Sequence, residues 1–144
     1  MMKDDIEMLS TISKTADMGR ESLYQVLEKA EDNSLRHALS TQIKEYEKNY
    51  DAAARLLSSY GQAPTHTNPM AKMESQMMVS VKTKLTENTT SKIAEMVIQG
   101  CTMGVTKMTK KLNEYNGTNR EVAALAEQHI KTEQANIDEM KKFL

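Results

Sequence analysis

The sequence predicts an all-α fold: a bundle of four long helices with one shorter helix at the middle of the chain. Three observations carry that reading. Apolar residues recur at alternating spacings of three and four along four long stretches, the period of a helix with one buried face. Only 5 glycines and 2 prolines occur in 144 residues, and most fall where such stretches would stop. No strand pattern is evident, and the apolar set, with 12 Met, 1 Phe and no Trp, implies a core of Leu, Ile, Ala, Val and flexible Met. The length suits one domain over residues 1–144 with a single core.

The first helix is predicted over residues 4–31. Leu9, Ile12, Ala16, Gly19, Leu23, Val26 and Ala30 form its seam, widened by Ile6 and Leu27. Gly19 costs about 1 kcal/mol of helix propensity, so its place on the buried face implies a neighbour that comes unusually close. Asn33 or Ser34 is the expected cap of the second helix, residues 34–60. That seam reads Leu35, Leu39, Gln42, Tyr46, Asn49, Ala53, Leu56 and Tyr60, apolar at both ends and polar in the middle. Gly61 then stands where a helix favours a terminating glycine.

Residues 61–68 read as a loop, and Asn68-Pro69 as the cap and first residue of a shorter helix over 69–86. Met70, Met73, Met77, Val81 and Leu85 share one face of it. Methionine packs adaptably, so Met70, Met73 and Met77 are the expected contact face for a second copy or another protein. The third long helix is predicted over 90–115, with Ile93, Val97, Gly100, Gly104, Met108, Leu112 and Tyr115 on its seam and Cys101 and Val105 alongside. Gly100 and Gly104, four apart, would leave a groove for close helix contact.

The last helix is predicted over 118–144 without interruption, Thr118 and Glu121 forming its capping box. Its stripe is Val122, Ala126, His129, Glu133, Asn136, Met140 and Phe143, again apolar at the ends and polar between. Short connections make the first two and the last two long helices antiparallel neighbours. The connection of about thirty residues between the two pairs is long enough to cross the bundle end to end.

Composition excludes several classes. Lys plus Arg is 19 against 20 Asp plus Glu, and no basic stripe runs along any helix, so nucleic-acid binding is not expected. Lys107, Lys110 and Lys111, like Lys82 and Lys84, read as solvated faces. No apolar run spans a bilayer and no secretion signal opens the chain, so a soluble, cytoplasmic protein with no membrane partner is expected. The single Cys101 suits a reducing compartment.

Chemistry, if present, lies in the polar belt of Gln42, Tyr46, Asn49, His129, Glu133 and Asn136. His129 and Glu133, four apart, are either a two-ligand metal pair or a buried hydrogen-bonded pair completed by Tyr46 or Gln42, with Arg20 or Tyr46 expected to satisfy Glu133 in place of a metal. A metal site needs more N, O or S donors than these two. Cys101 is either an inert core thiol or a nucleophile activated by a base such as His129. No phosphate loop, Gly-x-Ser-x-Gly or Cys-x-x-Cys occurs.

Two hairpins joined by one long crossover is the ferritin-like architecture. The stretches Glu-Lys-Ala-Glu-Asp-Asn-Ser-Leu-Arg (28–36), Lys-Ile-Ala-Glu-Met-Val-Ile-Gln-Gly (92–100) and Leu-Ala-Glu-Gln-His-Ile-Lys-Thr-Glu (125–133) resemble the ferritin-like bacterial bundles known as domains of unknown function. The first half also looks like ferritin-like spore-coat proteins. The resemblance implies a four-helix fold more strongly than an activity.

A ferritin-like di-iron centre draws an inward Glu from two helices and Glu-x-x-His from the other two. Three residues before His37, His66 and His129 stand Ser34, Ala63 and Ala126, so no Glu-x-x-His exists. The matching positions hold Ile43 and Tyr46, His129 and Thr132, and, on the third long helix, the neighbourhood of Gly100 and Cys101. The expected function is therefore non-catalytic, a structural or protein-interaction module without cofactor. The alternative is a metal-binding oxidoreductase or metal-storage protein of the same fold.

Overall fold

The computed structural model describes residues 2–64 and 89–144. These form four long helices: α1 Met2–Lys29, α2 Asn33–Ser59, α3 Thr89–Glu114 and α4 Arg120–Met140, the last followed by a 3-10 turn, Lys141–Phe143. No strand occurs among the described residues, and none of their helices is long and apolar enough to cross a membrane. The short helix expected over 69–86, with Met70, Met73 and Met77, lies outside the described residues.

Capping chemistry sets most of the boundaries. Asp32, rather than Asn33 or Ser34, caps α2, its Oδ2 accepting from the Leu35 amide at 2.8 Å. Arg36 donates back to the last carbonyls of α1, at 2.7 Å to Leu27 and 2.9 Å to Ala30. Gly61, at φ +73°, ends α2 as the sequence implies. Its amide bonds Ser58 at 2.9 Å and the Gln62 amide bonds Leu57 at 2.9 Å, the paired closure that a left-handed residue permits. The expected Thr118–Glu121 capping box is replaced by Asn119, whose Oδ1 accepts from the Glu121 amide at 2.9 Å. A carboxamide one residue later is the stronger cap.

Each helix buries one stripe. α1 packs on α2 and α3 on α4 as antiparallel hairpins; α1 also meets α3, α2 meets α4, and α1 touches α4. Leu23, Val26, Leu35, Leu39, Ile43, Ile93, Val97 and Met140 fill one end. Met8, Leu9, Ile12, Leu57, Met108, Val122 and Ala126 fill the other. Fully burying such a side chain stabilises the fold by roughly 1.5–3 kcal/mol.

One carboxylate fixes the relative directions of all four helices. Asp5, buried near the start of α1, accepts a hydrogen bond from Tyr60 at the end of α2, at 2.6 Å, and another from Tyr115 just past α3. Asn119, the cap of α4, donates to the Tyr60 hydroxyl at 2.8 Å. The starts of α1 and α4 therefore share one end with the finishes of α2 and α3. The finish of α2 and the start of α3 lie at opposite ends of the bundle, as the crossover reading requires.

Candidate functional site

Between the two apolar clusters lies the polar belt, and all six of its expected residues are buried: Gln42, Tyr46, Asn49, His129, Glu133 and Asn136. It is built mainly from facing positions of α2 and α4. On the first turn, Asn49 Nδ2 donates to Thr132 Oγ1 at 3.1 Å and lies 3.3 Å from His129 Nδ1. On the next, the Tyr46 hydroxyl donates to Glu133 Oε1. Gln42 and Asn136 occupy the turn after that.

Glycines make the middle turn fit. The Tyr46 ring lies against Gly19 of α1, where an added Cβ would stand 2.7 Å from Cζ. The Glu133 carboxylate occupies the space that a Cβ at Gly104 of α3 would take. The close neighbour expected at Gly19 is thus Tyr46, and the Tyr46–Glu133 pair runs across the bundle between two residues without side chains.

Two expected placements are corrected. Arg20 does not reach Glu133; its Nη2 bonds Asp17 at 2.7 Å and Glu21 at 3.2 Å, because carboxylates one turn away and next in sequence hold it on the flank of α1. Gly100 faces solvent rather than the seam, and Cys101 takes the inward place with Met108 and, in part, Gly104. Of the other histidines, His37 is exposed and His66 lies outside the described residues.

Every titratable group in the belt is driven toward its uncharged form. Burial, then the neighbouring Glu133 carboxylate, raises Tyr46 well above a normal tyrosine. Burial and Glu133 push the Cys101 thiol up to about 12; the nearby Tyr46 hydroxyl, 3.6 Å from Sγ, and the Asn136 amide pull the other way and do not prevail. Burial lifts Glu133 to about 7 against the opposing hydrogen bond from Tyr46. Burial lowers His129 to about 4. Cys101 is therefore a poor nucleophile, since the thiolate is the reactive form.

The belt is incompletely satisfied. With Asn49 donating to Nδ1, the His129 proton sits on Nε2. That atom has no hydrogen-bond partner and lies 3.7 Å from Glu133 Oε1. Gln42 Nε2 and Oε1 are also without partners. Among the described residues, no group of three or more His, Cys, Asp or Glu is arranged to hold a metal ion.

Sequence reasoning set Thr132 at a position matching a metal ligand but did not pair it with Asn49, which it shares with His129, and it missed the cluster at Asp5. Asp5, Tyr60, Tyr115 and Asn119 are too far apart in the chain for spacing to join them.

Comparison with known proteins follows the same lines. No curated protein matches the chain. A crystal structure of a DUF305 fragment from Deinococcus radiodurans superposes with a TM-score of 0.75 at 15% identity, covering 96% of this chain and 93% of that one. That likeness is one of helical fold alone. Residues 4–116 match a domain of unknown function, DUF2383. Since the match takes in α1, α2 and α3, the chain belongs to the DUF2383 family.

Proposed function

We propose that this protein is a single-domain, ferritin-like bundle that acts as a non-catalytic structural or protein-interaction module, its middle layer closed by hydrogen bonds where related bundles hold two metals. The observation that carries the reading is the Tyr46–Glu133 hydrogen bond, set between Gly19 and Gly104 in the centre of the bundle. Opposite placement of the α2 finish and the α3 start supports the ferritin-like connection. The donor set does not fit a di-metal centre. Among the described residues His129 and Glu133 are too few donors. This counts against the alternative of an oxidoreductase or metal-storage protein.

The proposed partner is a second copy or another protein. A buried, unpaired Cys101 suits the cytoplasm, and likeness to spore-coat proteins in the first half of the chain makes assembly in a coat one setting for such a module. Anaerobic loading with Fe(II) followed by oxygen tests the central point. Less than stoichiometric iron and no oxo-bridge absorption are expected; two irons per chain with that band would overturn the proposal. Light scattering across a concentration series reads self-association directly.

A further inference from the structure

His129 stands between two possible partners on different helices. Its Nδ1 faces Asn49 Nδ2 of α2 at 3.3 Å, at the long end of a hydrogen bond. Its Nε2–H, fully buried, faces Glu133 Oε1 one turn along α4 at 3.7 Å, just beyond one. Glu133 receives a hydrogen bond from Tyr46. One donor suffices for a protonated carboxyl, but an ionised carboxylate out of water requires more.

The groups able to answer that need are few. From α2 comes Tyr46, whose one proton is already given to Glu133. From α3 come Gly104, without a side chain, and the Cys101 thiol, a weak donor. From α1 comes Gly19 behind the Tyr46 ring, while Asp17 and Arg20 of that helix pair with each other. No Lys or Arg is buried among the described residues. Of the idle buried donors, which include Gln42 Nε2, the His129 Nε2–H is the one that stands 3.7 Å from Glu133 Oε1.

We propose that His129 is a proton-gated link between the two hairpins: it shares Asn49 of α2 with Thr132 while Glu133 keeps its proton, and turns to Glu133 when that proton leaves, leaving Asn49 to Thr132 alone. A movement of about 1 Å brings Nε2 to hydrogen-bonding distance of Glu133, and the Nδ1 contact to Asn49, already long at 3.3 Å, is the one it weakens. The imidazole stays neutral throughout; only its partner changes. Because burial holds Glu133 at about 7, the exchange falls in the neutral range. The gate does not depend on the module reading and holds whatever the bundle binds.

Nitrogen-15 and proton spectra of the histidine ring in the full chain, taken from pH 5.5 to 8.5, test it. The His129 Nε2 proton is expected to move downfield as pH rises, with a midpoint near 7, while both ring nitrogens keep neutral-imidazole shifts. In Glu133→Gln the movement is expected to vanish. A proton shift that stays flat in the native protein, or persists in Glu133→Gln, overturns the gate. Should the variant fail to fold, the Glu133 side-chain carbon of the native protein decides. Its titration must share the midpoint of the His129 proton, and two separate midpoints overturn the proposal.

Discussion

Gly19 on α1 and the ring of Tyr46 on α2 are a matched pair: a single methyl group at position 19 would approach the ring to 2.7 Å. The helix gives up about 1 kcal/mol of propensity at that glycine and gains a path along which the Tyr46 hydroxyl reaches Glu133. Gly19→Ala is therefore expected to destabilise the fold, overpacking costing about 1–3 kcal/mol against that smaller gain. Gly100→Ala, on the exposed face of α3, is expected to stabilise by about 0.5–1 kcal/mol. Urea unfolding of both variants checks the contrast, and equal effects would contradict it.

Tyr46→Phe keeps the ring and removes the hydrogen bond to Glu133. Leaving a buried carboxyl short of its donor costs about 1–3 kcal/mol. The loss is expected to be larger at pH 8 than at pH 6, because Tyr46 is the group that favours the ionised form of Glu133. Denaturation at the two pH values measures it, and a loss independent of pH would separate Tyr46 from the Glu133 charge.

The belt also sets a pH dependence with two opposed limbs. Glu133 is raised from 4.5 to about 7, so the folded state holds its proton longer and stability falls as pH rises through that interval. His129 is lowered from 6.5 to about 4, so the unfolded state takes a proton first and stability falls as pH drops through that interval. Over the shared range the two slopes cancel. Glu133→Gln should expose the histidine limb, with stability rising with pH by about 3 kcal/mol over two units. His129→Asn should expose the opposite slope. Unfolding midpoints at pH 4.5, 5.5 and 6.5, each compared with the native protein, give both signs.

At the clasped end, Asp5→Ala removes the acceptor shared by Tyr60 and Tyr115 and is expected to cost about 1–3 kcal/mol. Burial and the bond to Asp5 raise Tyr115 to about 12, and the bond to Asp5 raises Tyr60 too, so the same variant should bring two tyrosines back toward an ordinary titration. Ultraviolet absorbance at 295 nm against pH reads this. An unchanged alkaline limb would show that Asp5 does not hold Tyr115.

What the chain disclosed about itself depended on period. Gln42, Tyr46, Asn49, His129, Glu133 and Asn136 were legible because each falls on a seam of period near 3.5, and a polar residue on a seam is unusual enough to notice. Gly100 and Cys101 were not, because two small residues side by side leave the phase of α3 undecided and a straight helix drifts from a heptad by about 20° per repeat. Arg20 was misplaced because local partners, Asp17 and Glu21, hold it before a distant one can. The caps were missed by one or two residues, Asp32 for Asn33 or Ser34 and Asn119 for Thr118, since neighbouring residues with capping side chains compete for the same amides.

The polar turns of α2 and α4 also act as a vernier. Apolar contact is non-directional, so a core of Leu, Ala, Val and Ile specifies helix alignment less sharply than paired polar groups do. Asn49 with Thr132, and Tyr46 with Glu133, are such pairs. Displacing α4 along α2 by one helical pitch, about 5.4 Å, parts both pairs at once and takes the Glu133 carboxylate out of the space left by Gly104. The chain thus has one alignment of its two hairpins in which Asn49 meets Thr132, Tyr46 meets Glu133 and each fits against a glycine or a hydroxyl, and the belt favours it over the alternatives.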